Sequence, residues 1–469
     1  MQNTTFQPFW FAQALQREAS VSPISLTRDT TADVCIVGGG YTGLWSALQL
    51  KKQKPSLDIV LIDKGLCGSG ASGRNGGCMV TWSGKYFTLL ATYGAEEAAR
   101  LVKVSEQALF HIRDFCHDHQ IDAEVRVEGV LNTATNNAQL GALDNVINAL
   151  KDQNLNSWQR WAPAEVQNAA GSTRHIEGVF SPVGGSLHPG MLVRGLRQAA
   201  LNLGVRIYEN TPLIALDNGR PVSVKTANAV ITTKKTVLAL NAWMPTVFPA
   251  FNRSIMLVSS DMAITKPAPD LMKSAGLADG KAVIDNRAFV HYYRSTLDGR
   301  LMMGKGGNMI SLNNVVAAKF DQPSRYAKQL REAIDHFFPS LIDTDIEATW
   351  TGPSDRSTTG LPFFGSLNGN PDIVYGLGYS GNGVGQSYVG GQFLTALVLG
   401  QDNEWTRSIM AKGPLGAFPP DPLRWLGAMM VKNAIQRKER MEDADQRPFW
   451  FDRRLSKIAA TTAGRLKKI

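Results

Sequence analysis

Two short apolar runs frame the first third of the chain. One is Asp33-Val-Cys-Ile-Val-Gly; the other is Asp58-Ile-Val-Leu-Ile-Asp. Continuous apolar stretches of this length fit strands buried on both faces of a parallel sheet. Between them, glycines at 38–40 and an apolar stretch after Tyr41 predict a tight turn and a helix. Downstream, residues 96–120 repeat apolar positions at intervals of three and four, which predicts a helix. Val125 to Thr135 alternates and reads as a strand, and Asn137 to Lys151 returns to helix. Pro189 suits the first turn of another helix. Residues 205–240 read as short strands ending in Thr236-Val-Leu-Ala-Leu-Asn-Ala-Trp. The runs Ile255–Thr265, Ala282–Asp285, Phe289–Arg294 and Arg300–Gly304 predict a further sheet, followed by a helix from Pro323 to Phe338. Ile373-Val-Tyr-Gly and Gln386–Leu399 predict a last strand and helix. Leu423, Leu426, Met430 and Ala434 fall at helical spacing and mark an amphipathic helix near the C-terminal end.

The turn between the first two strands reads G-x-G-x-x-G, with Gly38, Gly40 and Gly43. The first glycine allows the tight turn. The second lets backbone approach a pyrophosphate, and the third lets the helix pack close to the strand. The helix N-terminus, with Tyr41 and Thr42, then offers unpaired N–H groups to phosphate. Asp63, followed by Lys64, ends the second strand, where a carboxylate can bond a ribose hydroxyl. An ordinary strand–helix turn would leave Asp63 unexplained. Next comes a loop of glycines and small polar residues, Gly68 to Gly77. It includes Ser69, Gly70, Ala71, Ser72, Arg74, Asn75, Gly76 and Gly77. Its N–H groups and lack of bulk suit a second close approach to a dinucleotide, although a flexible surface loop has a similar composition.

Composition narrows the class. With 469 residues, 43% hydrophobic and 19% charged, the chain can build a sizeable core. Cys35, Cys67, Cys78 and Cys116 form no C-x-x-C pair, so neither a disulfide framework nor a zinc site is expected, and no metal is called for. A reducing, cytoplasmic setting fits. Phe9-Trp-Phe is too short for a secretory leader and is soon followed by Gln13, Gln16 and Arg17. The net charge of +9 is lopsided: residues 422–469 hold twelve Lys/Arg against five Asp/Glu. The body carries little excess charge, which argues against nucleic acid as a partner. The tail helix admits two readings: packing on the body or a subunit partner, or peripheral docking at an anionic membrane surface. The string Pro-Phe-Trp-Phe occurs at 8–11 and again at 448–451, and both copies read as aromatic clasps.

Five motifs in order carry a resemblance. "GGGYTG…ID" and "GASGRNGG" are followed by Gly185-Ser-Leu-His-Pro-Gly-Met-Leu-Val-Arg-Gly-Leu196, Tyr292–Gly304 and Gly376-Leu-Gly-Tyr-Ser-Gly-Asn-Gly-Val-Gly385. Together they resemble the D-amino-acid oxidase-type FAD-dependent superfamily over about residues 30–410. Within it the chain is similar to the γ-glutamylputrescine oxidase and aminophosphonate oxidoreductase groups, and Trp350–Gly365 especially resembles the second. The resemblance implies an α/β fold with α+β character: a discontinuous, Rossmann-like FAD-binding domain, a mixed-sheet substrate domain covering the flavin, and a helical C-terminal tail. The expected segments are 30–95, 170–245 and 345–410 for FAD, 96–169 and 246–344 for substrate, and 411–469 for the tail. Gly378, Ser380, Gly381, Asn382, Gly383 and Val384 would form the C-terminal flavin loop, with the helix dipole behind it. No cysteine follows Cys116 and no histidine lies between Asp63 and Phe110, so noncovalent FAD is expected.

The implied reaction is hydride transfer from a C–N bond to flavin N5, giving an imine that hydrolyses. Small amines with an anionic end are the expected substrates, and oxygen or a quinone the acceptor. Alternatives are a D-/L- or N-methyl-amino-acid dehydrogenase, and a noncatalytic or RNA-modifying flavoprotein. On the strand Phe289–Arg294, His291 and Tyr293 share one face and Tyr292 and Arg294 the other. His291 and Tyr293 are the expected catalytic pair, His291 accepting the ammonium proton. Asp355 is expected to hold a substrate amine and Arg356 a carboxylate or phosphonate; a surface ion pair is the plain alternative. Lys85 and Lys305 are further anion candidates. Some oxidases of the superfamily carry lysine where this chain has Met302-Met303-Gly304, and that departure leaves a dehydrogenase open.

Overall fold

A computed structural model describes residues 6–18 and 22–462. Its organising feature is a sheet in the order Phe363–Ser366, Ile373–Leu377, Val230–Leu238, Thr30–Val37, Ile59–Ile62, Arg206–Tyr208. The inner pairings are parallel, and the edge hairpin Phe363–Ser366 with Ile373–Leu377 is antiparallel. Alternate residues of the two predicted apolar strands enter different cores. Val34, Ile36, Ile59 and Leu61 pack on one face, and Cys35, Val37, Val60 and Ile62 on the other. Both faces are covered, which is why these strands read as continuous apolar runs. Each such side chain contributes about 1.5–3 kcal/mol of transfer free energy.

The helix Tyr41–Gln53 follows the glycine turn, and Gly383–Leu399 packs beside it. A Cβ on Gly43 would overlap the carbonyl oxygen of Gly38, so the close helix–strand approach requires glycine. The helix predicted over 96–120 spans Ala95–Asp118. Its buried face shares the core of the helices Tyr41–Gln53 and Gly383–Leu399, so it is built into the cofactor half and does not open the substrate half.

The second sheet runs Ile346–Ser357, Ile255–Thr265, Leu301–Ile310, His291–Ser295, Ala282–Asp285, Val130–Ala134, Glu177–Ser181, Gln159–Trp161. Its pairings are antiparallel except between Ala282–Asp285 and Val130–Ala134. Two expected boundaries therefore move. Glu177–Ser181 falls in this sheet despite lying within 170–245. Ile346–Ser357 does so despite lying within 345–410, because it pairs along its whole length with Ile255–Thr265. Its last turn then reaches the cofactor half, where Arg356 bridges Tyr379. The seam between the halves falls inside this strand.

The tail forms two helices, Leu423–Asp443 and Trp450–Thr462, packed on each other. The expected apolar stripe does not face the body. Leu423, Leu426 and Met430 are exposed, and only Ala434 of the four is buried. The buried positions are Arg424, Ala434, Ile435 and Glu439. Polar anchors explain the rotation: Arg424 bonds Asp421 and the Ile255 carbonyl, and Glu439 accepts from the Ala288 and Phe289 N–H groups. The N-terminal copy of the aromatic string is a clasp, with Trp10 and Phe11 buried. No described helix is long and apolar enough to cross a membrane.

Candidate active site

A cavity of about 220 Å³ opens where the two sheets meet. Its floor comes from Tyr41, Thr42 and the loop Ala71–Cys78, and its roof from Ser260, Met262 and Tyr292. Arg356 and Gly381–Val384 close one side.

Two helix N-termini meet there. Gly40 caps the helix from Tyr41 and Asn382 caps the helix from Gly383, and neither cap makes a side-chain hydrogen bond. The uncapped ends direct N–H groups and the positive ends of the helix dipoles toward the cavity. The Tyr41 N–H donates to Ser72 Oγ at 2.9 Å. Gly38, at φ +114°, and Gly40 shape the turn below, where a side chain on Gly40 would crowd Ser72. Asp63 accepts from the N–H groups of Gly39 (2.7 Å) and Gly65 (2.9 Å), and burial pushes its carboxyl up to about 6. Lys64 lies over the ring of Trp243, which also walls Gly70.

The second glycine loop is closed on itself. Asn75 Nδ2 donates to the Ser72 carbonyl (2.8 Å), and its Oδ1 accepts from Gly77 N–H (2.8 Å). Arg74 is a brace: it donates to the carbonyls of Ser69 and Phe320 and pairs with Asp321 at 2.6 Å. Gly76 lies under the Tyr292 ring, and its carbonyl accepts from Arg294.

The C-terminal loop is tied to the strand end. Gly378 N–H donates to the Asp355 carboxylate, Ser380 N–H to the Asp355 carbonyl (2.9 Å), and Ser357 N–H to Ser380 Oγ (3.1 Å). Ser380 itself sits at φ +58°, a conformation unusual for a residue with a side chain, and these bonds hold it there. Burial pushes Asp355 up to about 7, against the N–H bonds that favour its ionised form. Its carboxylate is committed to the loop and does not stand ready for a substrate amine.

At the substrate end, Tyr292 OH and Ser260 Oγ lie 2.9 Å apart, and the Arg356 guanidinium lies against Gly306 and Gly381. Met262, Ile284 and Val290 supply apolar wall. His291 and Tyr293 face the opposite side of the sheet, which corrects the expected catalytic pair. His291 Nδ1 meets Asp285 at 2.9 Å and its Nε2 meets Lys305 Nζ at 3.1 Å. Tyr293 OH donates to the Ala170 carbonyl. Burial and then Lys305 push the His291 imidazole below its ordinary range. The alternation along the strand was legible; which face meets the cavity was not, because a period of two leaves both choices open. Lys305 is buried in the same cluster, and Lys85 lies in the short turn Ser83–Lys85, outside the cavity lining.

Several lining residues were not evident from the sequence, Ser260, Met262, Asn241, Ser354 and Cys78 among them. Asn241, in the short turn Asn241–Trp243 after the strand Val230–Leu238, has a buried Oδ1 with no hydrogen-bond partner among the described residues, and Ser354 Oγ has none either. Cys78 also lines the cavity, its thiol pushed up to about 11 by burial. Two orphaned polar atoms, two uncapped helix ends and glycine-only surfaces together fit a bound dinucleotide. No described group of three or more His, Cys, Asp or Glu residues could hold a metal.

The family model described as "FAD dependent oxidoreductase", DAO, matches residues 33–397. The chain belongs to this family. Its cofactor is FAD, and it is an FAD-dependent oxidoreductase. Similar relatives include the gamma-glutamylputrescine oxidoreductase of Escherichia coli K12. It is 29% identical over 386 residues, covering 80% of this chain and 85% of the relative. The probable oxidoreductase OrdL of Haemophilus influenzae is 28% identical over 387 residues, covering 80% and 85%. Among solved structures, glycine oxidase from Geobacillus kaustophilus aligns with a TM-score of 0.65 at 19% identity, covering 81% of this chain and 96% of that one. L-proline dehydrogenase from P. horikoshii gives 0.66 at 17%, covering 80% and 95%. These two show the shared fold. The tail helices lie beyond the matched residues.

Proposed function

We propose that the protein oxidises the C–N bond of a small amine whose far end is anionic, as in γ-glutamylputrescine-like amines or aminophosphonates. One observation carries this reading: Arg356 borders the cavity beside the Ser260–Tyr292 hydroxyl pair, between apolar walls. A guanidinium there can grip a carboxylate or phosphonate bidentately. The hydroxyl pair can orient the amine nitrogen, and Met262, Ile284 and Val290 keep water from the reacting carbon. Bound FAD supplies the hydride acceptor. The Gly383–Leu399 helix end offsets negative charge that develops beside it. Gly38, Gly40, Gly43, Asp63 and the loops 69–77 and 378–384 hold the cofactor in this reading. Cys78 stays protonated at neutral pH, which supports a noncovalent cofactor.

With His291 turned away, Asp355 tied to Gly378 and the Tyr292 phenol pushed up by burial, no lining group among the described residues is poised as a base. The amine therefore reacts from its neutral fraction, and its proton leaves to solvent. Electrons pass on to oxygen or a quinone, in a cytoplasmic enzyme.

Anaerobic bleaching of the flavin band tests the proposal. The panel holds γ-glutamylputrescine, 2-aminoethylphosphonate and its N-methyl form, sarcosine, glycine, and D- and L-amino acids. Bleaching by the ω-amines supports the reading. Bleaching by α- or N-methyl-amino acids alone moves the assignment to an amino-acid dehydrogenase, whose α-carboxylate Arg356 would hold equally well. A bound flavin that no amine bleaches sinks both.

A further inference from the structure

The two copies of Pro-Phe-Trp-Phe meet opposite fates. In the first, Trp10 is fully buried between Trp350, His188 and Arg294. In the second, Phe449 is 64% exposed, Trp450 66% and Phe451 45%. Three consecutive exposed aromatics are costly to leave in water and mark an interaction surface. We propose that this hairpin docks the protein on an anionic lipid surface through Phe449–Ile458.

The charges around the aromatics select the partner. Arg447, Arg453, Arg454 and Lys457 are exposed. From residue 446 onward the sequence has a single acid, Asp452, and it is buried against Arg437 at 2.6 Å. The acids at the turn are also drawn to the body: Asp443 pairs with Arg287 and Asp445 accepts from Asn137. The outward face of the Trp450–Thr462 helix is thereby cationic and apolar together, with Trp450, Arg454, Lys457 and Ile458 at helical spacing on one side. Aromatic rings at headgroup depth, with long cations reaching the phosphates, match such a face. On the adjacent helix Leu423, Leu426 and Met430 are exposed as well. The body is held to this hairpin by Arg424, Glu439 and Asp443, so docking the hairpin docks the enzyme. The inference does not depend on which amine is oxidised; a docked enzyme would have a lipid-soluble quinone within reach as acceptor.

The test is flotation of the full-length FAD-loaded protein with vesicles of phosphatidylcholine, with and without phosphatidylglycerol. Flotation is expected only with phosphatidylglycerol and should fall with added salt. The double variants W450S/F451S and R453E/R454E should each lower the bound fraction by on the order of tenfold or more, since each cation near such a surface is worth roughly fivefold. Both should keep the flavin spectrum, which shows folding, and K328E on an exposed helix elsewhere should float as wild type. Absence of phosphatidylglycerol-dependent flotation overturns the proposal. So does flotation undiminished in both variants, or a wild-type dimer that W450S/F451S converts to monomer while vesicles go unbound.

Discussion

At the residue scale, Arg356 and Tyr292 carry the substrate end. Replacing Arg356 with alanine should raise KM for an anionic amine by about 10²–10³, the worth of a lost charge-assisted pair. A neutral amine of the same length should be affected far less, and steady-state kinetics on both decides it. Tyr292→Phe should lower kcat/KM by about tenfold, the worth of one hydrogen bond. His291→Gln should leave kcat/KM near wild type but lower Tm, because it disturbs the Asp285–Lys305 cluster and not the cavity. Rates that collapse in His291→Gln and persist in Tyr292→Phe would reverse the assignment of faces. If the amine reacts from its neutral fraction, log kcat/KM should rise with unit slope up to the substrate's own pKa.

Asp355 sets a pH dependence with a definite sign. Its folded pKa, about 7, lies above the ordinary carboxyl value of 3.8 because burial disfavours the carboxylate. The folded state therefore binds more protons between those values. The stability it adds is full below about pH 4 and is lost as pH rises through 7, on the order of 4 kcal/mol across the window. Asp355→Asn in the apoprotein should flatten that slope, seen as a Tm difference from wild type that grows from pH 5 to 8.

At the element scale, the helix Leu423–Asp443 is an ionic latch. Glu439 holds the N–H groups of Ala288 and Phe289 near buried Lys305, and Val290 of the same segment lines the cavity. Burial pushes Glu439 up and Lys305 down. Removing a buried partner leaves its groups unpaired, so Glu439→Ala should cost roughly 3–5 kcal/mol. Amide exchange of residues 286–290 should rise, and KM should rise more than kcat falls. Unchanged exchange there would show that the latch does not hold the loop. The glycine turn is equally unforgiving. Gly43→Ala would push the helix Tyr41–Gln53 off the strand, and the protein should be purified without flavin.

At the scale of the whole molecule, the cavity is the seam between two sheets, linked where Arg356 at the end of the strand Ile346–Ser357 bridges Tyr379. FAD held in that seam would touch both halves. Added FAD should raise the unfolding temperature of apoprotein, with about 2.7 kcal/mol expected at a hundredfold excess over Kd. Calorimetry of apoprotein with increasing FAD checks this; a constant Tm would mean that FAD does not bind the folded apoprotein.

Much of this architecture was written locally. Doubly buried strands need unbroken apolar runs, so Thr30–Val37 and Ile59–Ile62 could be read directly. Close backbone approach admits only glycine, so the turn at 38–43 and the loop at 68–77 announced themselves. The helix Ala95–Asp118 was legible from its 3.6-residue period. What tertiary structure alone decided involves partners distant in sequence. Ser260, Asn241 and Arg356 converge only after both sheets form. Strand alternation divides Tyr292 from His291, yet the packing of Tyr292 over Gly76 and Gly304 selects which one faces the cavity. One four-residue string is buried at one end of the chain and exposed at the other. Its local propensities are the same in both places, and only the surroundings supplied by the rest of the fold differ.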